Sequence, residues 1–98
     1  MTVNKENNNG TLTVSISGRI DTTTAPALED EFKSSFDSCS ELTLDFSDVD
    51  YISSAGLRVL LSAQKTMAKK GSMKLINVSD EIMEIFEVTG FSDILTIE

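Results

Sequence analysis

The chain is 98 residues long, about one domain by the usual length prior, and its sixteen Asp/Glu against eight Lys/Arg give a net charge of −8. At 40% hydrophobic and 24% charged it has the make-up of an ordinary soluble globular chain, which excludes disorder and collagen-like structure. With no histidine and a single Cys39, the chain has no means for Ser-His-Asp, Cys-His or His-zinc chemistry, an internal disulfide or a cysteine metal cluster, and no cofactor is expected.

Location and partners are constrained by the same arithmetic. No apolar run approaches the roughly 18 residues needed to span a bilayer. The start, Met1 to Gly10, lacks the basic and apolar regions of a secretory signal, so a cytoplasmic location without membrane insertion is expected. The acidic balance argues against direct binding to nucleic acid or to an anionic membrane face. Residues 1–50 hold ten acids and three bases, whereas residues 51–98 hold six and five. A partner of the first half is expected to bring complementary charge.

In chain order, residues 2–6 are expected to form the first arm of a hairpin, turned by Asn7-Asn8-Asn9-Gly10. Thr11 to Ser17 alternates apolar and polar strictly, the period of a strand with one buried face. Asp21-Thr22-Thr23-Thr24-Ala25-Pro26 then reads as the start of a helix. A Thr hydroxyl is available as cap, and Pro26 suits the first turn because its missing N–H would have had no partner there. The helix expected over about 24–37 places Leu28, Phe32 and Phe36 on one face, and Glu29-Asp30-Glu31 reads as a solvated acidic run near its positive end.

Leu42 to Phe46 alternates again and predicts a second core strand, followed by a turn at Ser47-Asp48-Val49-Asp50 and a return to the core at Tyr51-Ile52. Asp48 and Asp50 lack a third ligand and read as a solvated turn rather than a cation site. From Ser54 to about Lys69 a long helix is expected, with Gly56, Leu57, Leu60, Ala63, Gln64 and Met67 on one side and Arg58, Lys65 and Lys69 on another. Gly71 ends it. Met73 to Val78 reads as a strand, Ser79 caps a short helix carrying Ile82, Ile85 and Phe86, Gly90 breaks it, and Ile94 to Ile97 closes the chain as a last strand. Met67, Met73 and Met83 read as core filling. The order β-β-α-β-α-β-α-β predicts one α/β domain over residues 1–98, a mostly parallel sheet with an N-terminal hairpin strand and helices laid against it by right-handed crossovers.

The segment that carries chemistry runs from Asp45 to Arg58, where a strand gives way to a helix through Ser53-Ser54-Ala55-Gly56-Leu57. A helix N-terminus offers unpaired N–H groups and the positive end of a dipole, so a phosphate on Ser54 would be tolerated there. Ala55 and Gly56 leave the hydroxyl unshielded and permit close approach of another surface. The same pattern also fits a plain N-cap with Gly56 as a packing residue.

These residues, with Gly18-Arg19-Ile20-Asp21 and Thr24-Ala25 before them and the Lys70-Gly71 and Gly90-Phe91 turns after, resemble the STAS domain family over the whole chain. The resemblance is to its free-standing bacterial members, the anti-sigma factor antagonists. In that family the block commonly reads Asp-Ser-Ser/Thr-Gly-Leu, and the serine after the Asp is phosphorylated by the partner anti-sigma factor, a serine kinase with a histidine-kinase-like ATPase domain. Ser54 matches that serine, while Ser53 stands where the family commonly has Asp and Ala55 where it has Ser or Thr. Ser53 is therefore a second candidate acceptor.

The resemblance implies a non-enzymatic partner switch. Unphosphorylated, a surface built from Asp21, Thr22, Thr24, Ser53, Ser54, Ala55, Gly56, Leu57 and Arg58 would dock on the anti-sigma kinase and release its sigma factor, and a response-regulator-linked phosphatase is a further implied partner. Asp21 has two readings, as a cap of the first helix or as a neighbour of the phosphorylation loop. The alternative role is an unphosphorylated accessory subunit of a membrane transporter or lipid-transport ATPase complex. A short helix after the last strand is also implied, and since the sequence stops at Glu98 a truncated or edge-only final element is expected.

Overall fold

The computed structural model describes all residues 1–98. Strand β1 (Thr2–Asn8) pairs antiparallel with β2 (Thr11–Ile20), leaving only Asn9 and Gly10 to turn the chain. Their φ values of 53° and 92° are the left-handed conformations that a two-residue type I′ hairpin needs and that Asn-Gly tolerates. Asn7 and Asn8, expected in the turn, are thus the end of β1.

Helix α1 (Ala25–Ser35) follows and tightens into a single 3₁₀ turn at Phe36–Ser38. Strand β3 (Glu41–Ile52), helix α2 (Ser54–Lys70), strand β4 (Ser72–Ile76) and helix α3 (Asp80–Thr89) complete the domain. The sheet order is β1-β2-β3-β4, with β2, β3 and β4 parallel. Successive right-handed crossovers stepping the same way along a sheet put their helices on one face. The core lies there: Leu12, Val14, Ile16, Leu42, Leu44, Phe46, Met73 and Leu75 of the sheet are buried with Leu28, Phe32, Leu60, Ala63, Met67, Ile82 and Phe86 of the helices. Met67 and Met73 fill that core as expected, and Met83 packs at its margin.

The expected turn at Ser47–Asp50 is instead part of β3. Between the pairs Ser15↔Asp45 and Ser17↔Asp48, and again between Gly18↔Val49 and Arg19↔Tyr51, β3 spends one residue more than β2. Each extra residue shifts the alternation by one. Burial therefore falls at Leu42, Leu44 and Phe46 and then at Val49 and Ile52, with Ser47, Asp48 and Asp50 left in solvent.

At the first bulge Asp45 Oδ1 accepts the Ser47 N–H at 2.9 Å and the Asn77 side-chain N–H at 3.2 Å. These bonds, the Ser47 N–H foremost, hold the Asp45 carboxyl below its ordinary 3.8. A depressed native value means the contribution is complete above the unfolded value and fades as pH falls through the native one. Asp45→Ala is expected to cost about 1–2 kcal/mol near neutral pH. Chemical denaturation from about pH 7 to pH 2 should show the gap from the parent closing only below the ordinary aspartate range.

The last strand shrinks to a single parallel bridge, Leu75↔Ile97, flanked by Leu75 N–H to Thr96 O at 2.8 Å and Glu98 N–H to Leu75 O at 2.9 Å. Gly90, at φ 83°, ends α3, and a 3₁₀ turn at Phe91–Asp93 then uses the chain that a longer strand would need. The strand expected over Ile94 to Ile97 is thus reduced to that one bridge beside β4.

Candidate partner-binding and modification site

The parallel ends of β2 and β3 set the starts of α1 and α2 side by side. The Ser53 N–H donates to Ile20 O at 2.8 Å, which fixes Asp21, the next residue, beside the start of α2. Ser53 is extended (φ −94°, ψ 175°), and its Oγ accepts the Gly56 N–H at 3.5 Å, the geometry of an N-cap. Ser54 is the first helical residue and exposed, and its hydroxyl makes no hydrogen bond to the protein. The two adjacent serines therefore have different surroundings. Ser53→Ala is expected to lower stability by about 0.5–1 kcal/mol and Ser54→Ala to leave it nearly unchanged, which thermal unfolding of the two variants checks.

Gly56 and Leu57 lie inside rather than on the surface. A Cβ on Gly56 would stand 2.7 Å from Ile20 Cγ2 and 2.8 Å from Ile52 Cγ1, so glycine is what lets α2 start against the strand ends. Leu57 belongs to the core. Their contribution to the site is the position of Ser54, Ala55 and Arg58.

The start of α1 is closed by a reciprocal turn. Asp21 Oδ1 accepts the Thr23 hydroxyl at 2.7 Å, the Thr23 N–H at 3.0 Å and the Thr24 N–H at 3.1 Å. Thr24 Oγ1 accepts the Asp21 N–H at 2.8 Å and donates to Arg19 O at 2.8 Å. The expected Thr cap of α1 is thus absent: Thr24 occupies the cap position, but its hydroxyl turns back toward the strand. Asp21 holds this turn rather than the helix, and the donors, the Thr23 hydroxyl first, keep its carboxyl below the ordinary aspartate value. Asp21 Oδ2 also faces Arg19 Nε at 3.7 Å, and the Arg19 guanidinium lies over the Tyr51 ring, 4.4 Å from its centroid.

Between the starts of α1 and α2 runs a groove of about 230 Å³, lined by Thr22, Ala25, Pro26 and Glu29 on one wall and Ala55, Arg58 and Val59 on the other. Of the residues expected at the site, Thr22, Ala55 and Arg58 line it, while Thr24 is half-buried in the Asp21 turn. Ala25, Pro26, Glu29 and Val59 also line it, though the sequence does not assign them to the docking surface. Their helical spacing is legible in the sequence, but which faces of α1 and α2 oppose each other is not.

Two charged residues, Glu29 and Arg58, line this groove, and ion pairs continue along α1 away from it. Glu29 pairs with Lys33 at 3.1 Å and Glu31 with Lys5 of β1 at 2.8 Å, while Asp30 is exposed and unpaired, so the acidic run is a solvent-facing surface that carries two ion pairs. Lys70 pairs with Asp37 at 2.8 Å. Arg58, Lys65 and Lys69 are exposed and make no ion pair, and no acid occurs anywhere in residues 51–76. The N-terminal end of α2 thus offers free N–H groups, the positive dipole end and one unpaired cation, Arg58, all favourable to an anion at Ser54 Oγ, whereas Lys65 and Lys69 lie about three and four turns further along the helix.

The fold and these motifs define a known class, and the chain belongs to the STAS domain family, whose model matches residues 2–98. Its relatives include the anti-sigma-B factor antagonist of Bacillus subtilis, 33% identical over 96 residues that cover 97% of this chain and 88% of that one. An anti-sigma factor antagonist from Mycobacterium paratuberculosis superposes with a TM-score of 0.89 at 29% identity, covering 98% of this chain and 83% of its own. SpoIIAA, an anti-sigma factor antagonist, has the same fold in its unphosphorylated and phosphorylated forms, each with a TM-score of 0.76, at 14% and 15% identity, over 99% of this chain and 87% and 91% of theirs. No helix of the chain is long and apolar enough to cross a membrane.

Proposed function

We propose that this protein is an anti-sigma factor antagonist that binds an anti-sigma factor serine kinase, releases the sigma factor, and is switched off by a phosphate on Ser54. The observation that carries the reading is the division of labour at α2: Ser53 is used as the cap, and Ser54, which directly precedes the groove-lining Ala55, presents an exposed, unbonded hydroxyl. Replacement of the family's common Asp by Ser53 preserves the local architecture, because serine and aspartate are comparable N-caps. The relatives named as antagonists, and a fold neighbour whose phosphorylated form has been solved, support the same assignment.

In this mechanism the kinase transfers the γ-phosphoryl group of ATP. The Ser54 Oγ–P bond forms as the bond to ADP breaks, and a kinase base takes the hydroxyl proton. The product adds about −1.5 to −2 charge at the start of α2. A phosphatase linked to a response regulator would reset the switch. The docking surface comprises the Asp21 turn, Thr22 and the first exposed turns of α2 through Arg58. No step asks this chain to do catalysis.

Incubation with the cognate histidine-kinase-like ATPase and ATP, followed by tandem mass spectrometry, tests the assignment. Phosphate on Ser54 is the expected result. A clean spectrum with a kinase active on another substrate would replace the reading with that of a constitutive binding subunit, and phosphate on Ser53 alone would move the site.

A further inference from the structure

We infer that Arg58 is the built-in counter-charge of the phosphate on Ser54. This rests on the assignment of Ser54 as the phosphorylated residue. Positions 54 and 58 are one turn apart on the exposed side of α2, a spacing that brings side chains to within about 6 Å at their Cβ atoms. The anion lies N-terminal to the cation, the orientation that also suits the helix dipole. The guanidinium fork matches two phosphate oxygens.

Arg58 is available for this task because its neighbours are committed elsewhere. Glu29, across the groove, is taken by Lys33 at 3.1 Å. Arg19, the cation at the adjoining strand end, is held by Asp21 and stacked on Tyr51. With no acid in residues 51–76, a phosphate on Ser54 meets no like charge on its own helix. Arg58 also lines the groove, so pairing would remove one cation from the docking surface whenever the switch is off.

The test installs phosphoserine at position 54 during translation, so that no kinase is needed, and compares the parent with Arg58→Gln and Arg58→Lys. Phosphorus NMR titration is expected to show the phosphate's second ionisation lower in the parent than in Arg58→Gln by roughly half a pH unit, with Arg58→Lys between them. Without phosphate, the parent and Arg58→Gln should unfold at nearly the same temperature, which separates pairing from a structural role. Coincident titrations of the parent and Arg58→Gln would overturn the inference and leave the Ser54 assignment standing. Absence of phosphate from Ser54 after the kinase reaction would overturn both.

Discussion

Ser54→Ala is expected to bind the partner anti-sigma factor as tightly as the unmodified chain, and the Ser54-phosphorylated protein to bind it at least a hundredfold more weakly. The hydroxyl is exposed and unbonded, so its loss removes nothing from the fold. A phosphate at the same atom brings charge into a contact that must be desolvated for docking. Pairing with one arginine still leaves net negative charge on the phosphate, and a penalty of about 3 kcal/mol for desolvating it and withdrawing Arg58 from the contact is more than a hundredfold in affinity. Ser54→Asp should weaken binding in the same direction but less, since it adds one charge close to the backbone. An acid in the first turn is favourable to α2, so that loss could not come from unfolding. Calorimetry on the three proteins checks the order, and equal affinities would remove the switch from Ser54.

Gly56→Val is expected to lower stability by about 2–3 kcal/mol, the cost of overpacking a filled site. Even a Cβ would sit 2.7 Å from Ile20 Cγ2 and 2.8 Å from Ile52 Cγ1, with Ile20 O at 3.2 Å. Ile20 and Ile52 are buried and β-branched and have little freedom to move aside. Relief requires α2 to lift from the strand ends, which would strain the Ser53 N–H to Ile20 O bond and move Ser54 relative to Asp21. Gly56→Ala should be milder, because its gain in helix propensity of about 1 kcal/mol offsets part of the clash. Urea denaturation measures both, and a Val variant as stable as the parent would contradict the packing.

Local signals in the sequence correspond to local structure. The Asn9-Gly10 pair, the apolar spacing of α2, Ser79 as the α3 cap and Gly90 after it are each set by a few neighbouring residues, and each is found in the structure. Ser53-Ser54 is legible as a phosphate-tolerant helix start for the same reason. The division between cap and exposed hydroxyl is not, because it depends on which serine's backbone is extended.

The features that escape a sequence reading depend on register and distant partners. Ser47 to Asp50 has turn chemistry, but pairing with β2 through two bulges keeps it in a strand. Thr24 has the right type and place for a cap, yet the Arg19 carbonyl and Asp21 N–H claim its hydroxyl. Glu31 reads as solvated, which it is in part, but its ion pair with Lys5 comes from β1, a strand distant in sequence. The groove arises only when α1 and α2 pack, so Glu29 and Val59 carry no mark of it in the sequence.

A displacement assay puts the partner switch itself to the test. A complex of the anti-sigma factor with its sigma factor would be mixed with the unmodified chain or with the chain carrying phosphoserine at position 54, and free sigma factor measured. A switch at Ser54 predicts release by the unmodified chain and by Ser54→Ala, and none by the phosphorylated chain at the same concentration. Equal release by the modified and unmodified chains, or release by neither, would contradict it.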